Sequence, residues 1–192
     1  MQAIHLLTKR ALKGDLDALR KTIQFLESYD VPVAKFAIYS LIYQYAMNNI
    51  INLKEECEKC GGKCCKSGLP VPVYDFDYEE MTKHIRLKLE KKNSIYLIPR
   101  PCKYQKGWTC SINSFKPYAC LSYPFATEDE QIEVIKNYNG KGVPDFNVPD
   151  FCTAGKKVKA LMDSLIKNLR KEKGREPKPE EVLIALLNDK RR

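Results

Sequence analysis

The stretch Cys57-Glu-Lys-Cys60-Gly-Gly-Lys-Cys64-Cys65 places four thiols within nine residues. The spacing, C-x2-C-x3-C-C, is loosened by Gly61 and Gly62, whose backbone freedom predicts a short loop wrapped around one metal-sized object. Free cysteine is also a common buried residue, so a purely apolar role is the competing reading. Glu58, Lys59, Lys63 and Lys66 alternate with the thiols, however, and that is poor patterning for a core. Metal or cluster binding is the expectation.

Four more cysteines follow, which makes the candidate ligands Cys57, Cys60, Cys64, Cys65, Cys102, Cys110, Cys120 and Cys152. Two four-thiol sites would use all eight; one site with spare thiols or disulfides is the other accounting. Zinc ribbons usually present two C-x2-C knuckles, and here Cys57 and Cys60 form the single one. Side chains of neighbours tend to point apart, so Cys64 and Cys65 do not readily serve one small tetrahedral ion. A larger cluster, or two sites sharing the loop, accommodates the pair better. The order of expectation is an iron–sulfur cluster of the 4Fe-4S type, then zinc.

The segments around this stretch read as helical. Ile4, Leu7 and Ala11 repeat at helical spacing up to Gly14, and Asp15 is placed to cap a second helix with Leu16, Leu19, Ile23 and Leu26 on one face. Pro32 opens a third, apolar on more than one side, which should lie centrally and deliver the chain into Cys57. After the thiols, Pro70-Val-Pro-Val is extended, and Asp77 with Glu80 marks the start of a helix through Met81, Ile85 and Leu89. Strands are expected at Ile95 to Ile98 and at Gln131 to Ile135, with a hairpin turning at Gly107 between Cys102 and Cys110. Trp108, Phe115, Tyr118, Tyr123 and Phe125 crowd the second cysteine block, where they would exclude water from thiolates or serve as ordinary core.

Cys152 stands at the start of a helix from about Gly155, a place that favours a thiolate. That helix carries Val158, Leu161, Met162, Leu165 and Leu169 and stops at Gly174; a last one follows Pro179, and Lys190-Arg-Arg trails into solvent. His5 and His84 have no partner at ligand spacing and read as structural or exposed. The fold class is α+β, mainly α: N-terminal helices, a small irregular β-containing cysteine-rich metal centre, and C-terminal helices. The segments are 1–54, a cysteine-rich domain at 55–156, and a basic helical segment at 157–192 packed on the same core.

The net charge of +9 is uneven: +3 over residues 1–54, zero over 55–154 and +6 over 155–192. Basic ends make nucleic acid a candidate partner, although solvated Lys-rich helices are the commoner reason for such charge. The apolar run from Val31 to Leu53 is interrupted by Lys35, Gln44, Asn48, Asn49 and Asn52, which argues for a buried helix and no membrane association. No secretory signal is legible, so the expected compartment is the cytoplasm, where cysteine patterns usually mean metal or catalysis.

Cys57 to Cys65, Pro70-Val-Pro, Cys102, Cys110-Ser-Ile, Lys116-Pro-Tyr-Ala-Cys120, Tyr123-Pro-Phe125 and Cys152-Thr-Ala-Gly resemble the YkgJ-type cysteine-cluster family of zinc- or iron-chelating proteins. The resemblance covers about residues 55–156. It implies cytoplasmic metal or iron–sulfur binding, and a pattern shared with flagellin lysine N-methylases makes protein methyl transfer conceivable. Lys116 and Leu121 stand where that family usually has arginines. Three functions compete: a cluster-carrying or partner-binding module with a protein partner, an enzyme acting by redox chemistry or lysine methyl transfer, and a nucleic-acid or ribosome-associated protein with structural zinc. No Ser/His/Asp set, phosphate loop or paired His supports a catalytic assignment.

Overall fold

The computed structural model describes residues 2–189. Three helices open the chain: α1 (Gln2–Leu12), α2 (Leu16–Glu27) and α3 (Pro32–Asn49). Asp15 caps α2 by accepting the Ala18 N–H at 2.9 Å, and Pro32 occupies the first turn of α3, where its missing N–H costs nothing. Because α3 is apolar around most of its circumference, it is buried around most of it. Tyr43 of α3 packs its ring 4.5 Å from Phe146 and 5.2 Å from Phe125, while Phe36 lies 5.1 Å from Phe146. This aromatic group is the centre of the main core, which joins α1 to α3 with α9 (Thr153–Lys173) and α10 (Pro179–Leu187).

Between these helical ends lies a smaller layer. Strands β1 (Val71–Val73), β2 (Glu90–Lys92) and β3 (Ile95–Ile98) form an antiparallel sheet in the order β1-β3-β2. Val71, Val73, Ile98, Met81 and Ile112 make a second apolar cluster. The hairpin expected at Gly107 is present as β4 (Gln105–Lys106) and β5 (Thr109–Cys110), with Gln105 opposite Cys110. Among the described residues ten α-helices accompany these small strands, so the fold is α+β and mainly α. No described helix is long and apolar enough to cross a membrane.

Two expected elements are different in the structure. Gln131 to Ile135 is not a strand but part of α8 (Glu128–Asn137). Gln131 is buried while Val134, Ile135 and Tyr138 pack on the main core, which is helical spacing, and Thr127 bonds Glu130 across the first turn. The helix at Asp77 is also shorter than expected: α6 spans Asp75–Thr82, with Asp77 in its first turn accepting the Tyr74 N–H. Residues 83–89, with Ile85 and Leu89, are turn and loop, and β2 follows, joined to β3 by a two-residue turn in which Asn93 and Ser94 both adopt positive φ. Lys190-Arg-Arg lies outside the described residues.

The buried ammonium of Lys9 on α1 meets Asp77 at 2.5 Å and Glu80 at 2.6 Å, tying the N-terminal helices to the cysteine-rich layer. At the other end, Arg170 pairs with Glu176, and Arg175 with Glu181, so part of the basic charge is answered within the chain. Glu181 also accepts the Lys178 N–H at 2.7 Å. The Arg175 bond, first, and that backbone bond depress its pKa to about 2. A depressed folded pKa gives stability that is present above the ordinary glutamate value of 4.5 and lost as pH falls towards 2. The protection of amides 179–187 against hydrogen exchange, relative to the intrinsic rate at each pH, should therefore fall across that window. Glu181→Gln should flatten the response, and an unchanged pH dependence in the variant would contradict the assignment.

Candidate metal centre

The decisive stretch is not an open loop. Cys57 and Cys60 lie on α4 (Leu53–Cys60), whose Asn52 cap accepts the Glu55 N–H. At a spacing of three residues on a helix they share a face. Gly61 and Gly62 then turn the chain with φ of 65° and 63°, angles unfavourable to other residues, and the Gly62 N–H donates to the Cys57 carbonyl at 2.9 Å. Cys64 and Cys65 follow on a single helical turn, α5 (Lys63–Lys66). The sequence reading missed this helical setting because Glu55, Glu56 and Lys59 look like solvated loop, although acids near the start and a base near the end suit a helix.

Two neighbouring parts of the chain are bonded to this turn. The Cys102 N–H donates to the Cys65 carbonyl at 2.8 Å, and Gln105 Nε2 donates to the Gly62 carbonyl at 3.2 Å, so the β4–β5 hairpin is docked on it. Cys110 is on β5, and Cys120 is on the short helix α7 (Tyr118–Ser122). From the C-terminal side, Thr153 Oγ1 donates to the Glu56 carbonyl at 2.7 Å and Lys157 Nζ meets the Glu56 carboxylate at 2.9 Å. These bonds hold the start of α9, and with it Cys152, against α4. All eight cysteines are free thiols, Cys152 buried and the other seven half-buried.

Burial keeps several of these thiols protonated in the metal-free chain. It pushes Cys57 up to about 11 and Cys120 up to about 12, and it raises Cys110 as well. Cys64 and Cys65 act as a pair: Cys64 donates to the Cys65 sulfur, which raises the first and lowers the second, and nearby Arg100 and Lys116 lower Cys65 further. The thiolate expected at Cys152 is not favoured. Its sulfur accepts the Gly155 N–H at 3.4 Å, but burial in the main core outweighs that bond and raises it.

Lys116 is the common cation of the site, since its charge acts on Cys57, Cys65, Cys110 and Cys120. Four thiolates around a divalent ion leave a net charge of about −2, and a fixed cation offsets part of it. Leu121, by contrast, is 3% exposed and packs in the main core, where an arginine would have no place to put its charge. The aromatics divide as well. Trp108 is exposed at the hairpin tip, Phe115 stacks on His84 at 4.5 Å and packs on the same small cluster as Cys102, Cys110 and Cys120, and Phe125 belongs to the main core. His5 stacks on Phe76, and both histidines are accounted for as structural groups.

The C-x-x-G at Cys152 has a steric cause. A Cβ on Gly155 would stand 2.7 Å from Val148 Cγ1 and 3.2 Å from both Cys152 Sγ and Pro124 Cγ. Gly155→Ala should therefore cost about 1–3 kcal/mol and displace Cys152. The checks are a denaturant midpoint and metal content measured on the same sample. A stable variant with normal metal content would refute this role.

The donor set itself is suited to zinc or iron: eight soft thiols. A buried Tyr104 hydroxyl in the cluster that holds Cys102, Cys110 and Cys120 has no hydrogen-bond partner among the described residues. No three His, Cys, Asp or Glu side chains among the described residues are already closed into a cage for one ion, so an ion would have to draw the thiols inward. Residues 56–140 match the family model CxxCxxCC, "Putative zinc- or iron-chelating domain". The matched stretch is the one whose cysteine spacing resembles the zinc- or iron-chelating cysteine-cluster family. It contains seven of the thiols and leaves Cys152 outside. No curated protein and no solved structure matches the chain.

Proposed function

We propose that the protein holds an iron–sulfur cluster or zinc in its eight thiols and serves as a cluster-carrying or partner-binding module. The observation that supports this most is the docking of the β4–β5 hairpin and the start of α9 on the thiol-rich turn of α4 and α5, in a stretch that matches a zinc- or iron-chelating domain. Cys57, Cys60, Cys64, Cys65, Cys102, Cys110, Cys120 and Cys152 would be the ligands. A bound cluster would supply a store of electrons or of transferable iron and sulfide, whereas zinc would supply a cross-link between the helical ends and the small sheet. Seven half-buried thiols leave the centre near the surface, which suits exchange with a protein partner.

An enzymatic reading has less support at this place. A cleft of about 370 Å³ between α3 and α9 is lined by Tyr43, Asp145, Lys159, Asp163 and Arg170, and no thiol borders it. The carrier role is tested by reconstituting the metal-free protein with ferrous iron and sulfide without air, then adding a metal-free ferredoxin. Transfer of the visible circular dichroism signal to the ferredoxin is the expected result. A stably assembled cluster that never leaves the protein would overturn the carrier role.

A further inference from the structure

We propose that the eight thiols form two separate four-thiol metal sites divided at the Cys64–Cys65 peptide. Cys57, Cys60, Cys64 and Cys152 hold one ion or cluster; Cys65, Cys102, Cys110 and Cys120 hold the other. The division rests on the reading that these thiols bind metal, and it goes beyond that reading by assigning each thiol to a site.

The first argument is where the four cysteines outside the turn are anchored. Cys102, Cys110 and Cys120 pack against the small apolar cluster of Val71, Val73, Met81, Ile98 and Ile112. Cys152 belongs to the main core with the helices. The turn carrying Cys57, Cys60, Cys64 and Cys65 lies between these two bodies. Two four-thiol sites then require three cysteines of the turn to join Cys152 and one to join the other three.

Local geometry identifies that one. The Cys102 N–H bonds the Cys65 carbonyl at 2.8 Å, which attaches the sheet side of the molecule at Cys65. On the other side, Thr153 and Lys157 bond Glu56, the residue preceding Cys57, so the start of α9 is attached at α4. Cys57 and Cys60 share a helix face, and they go together. With Cys65 attached to the sheet side, Cys64 is the remaining thiol of the turn and completes the set of Cys57, Cys60 and Cys152.

The test uses the full chain, stripped of metal and loaded with the NMR-active isotope of cadmium, a thiolate-seeking probe. Two cadmium resonances are expected. Couplings should link one to the β-protons of Cys57, Cys60, Cys64 and Cys152, and the other to those of Cys65, Cys102, Cys110 and Cys120. The cadmium content of variants gives a second readout: Cys152→Ser and Cys102→Ser should each halve it. Adding Cys64→Ser to Cys152→Ser should cost nothing more, whereas adding Cys65→Ser should remove the remainder. A single resonance, or one coupled to both Cys64 and Cys65, would overturn the division while leaving metal binding intact. A chain that holds no cadmium in its thiols would overturn both.

Discussion

Cys60→Ser is expected to release metal and to lower the stability of the metal-loaded protein by several kcal/mol. In a closed thiolate site, binding free energy is folding free energy, and structural zinc in small domains contributes roughly 10–16 kcal/mol of apparent binding. The effect here should be a fraction of that, because the main core of α1, α2, α3, α9 and α10 includes, of the eight thiols, Cys152 alone among the described residues. Cys60 ends α4, and the turn that begins there holds the β4–β5 hairpin through Gln105 on the Gly62 carbonyl and the Cys102 N–H on the Cys65 carbonyl. Thermal unfolding with and without a chelator measures the effect. The wild type should lose stability on chelation, and the variant should start from the chelated value. Equal melting and equal metal content in all four samples would remove the organising role of this turn.

Asp77→Ala should destabilise the fold by about 3–5 kcal/mol, since it leaves the ammonium of Lys9, 4% exposed, with the half-exposed Glu80 as its one ion-pair partner among the described residues. Asp77 has a second task. Its carboxylate accepts the Tyr118 N–H at 3.0 Å, which fixes the first turn of α7 and so the position of Cys120. The variant should therefore weaken metal binding as well as stability. Lys9→Met combined with Asp77→Leu removes both charges and should recover most of the stability, but not the hold on α7. Urea unfolding and a metal titration separate the two effects. If Asp77→Ala unfolds at the wild-type midpoint, the pair is not what joins the two layers.

Helical ends were legible because their apolar residues recur at helical spacing and their stops are chemically explicit. Asp15 caps, Pro32 opens, and Gly174 closes α9 in the left-handed conformation. Short elements were less legible. Ile132 and Val134 alternate with polar neighbours as a strand would, and only packing of Val134, Ile135 and Tyr138 on the main core reveals α8. Asp129 and Glu130 after Thr127 were the available signal, as acids in the first turn of a helix. The type of site was legible from cysteine spacing alone. Its internal organisation was not, because it depends on Thr153 meeting Glu56 and on Cys102 meeting Cys65, contacts between segments 97 and 37 residues apart.

The fate of Cys152 shows the same limit from another side. A helix start favours a thiolate by its N–H groups and dipole, and the sequence displays the helix start. It does not display that this end of the helix is buried in the main core, which keeps the thiol protonated in the metal-free chain. A binding metal must then displace protons, so metal affinity should fall as pH falls.

Metal and acid-labile sulfide analysis, with a visible spectrum, on protein purified without air tests the central claim most directly. The account predicts zinc or iron bound through thiolates, with the cysteines protected from a thiol reagent until a chelator is added. Iron with matching sulfide and a broad thiolate-to-iron band identifies the cluster, and zinc in a colourless protein identifies the cross-link. Eight freely reactive thiols in a chain that carries neither metal would contradict it.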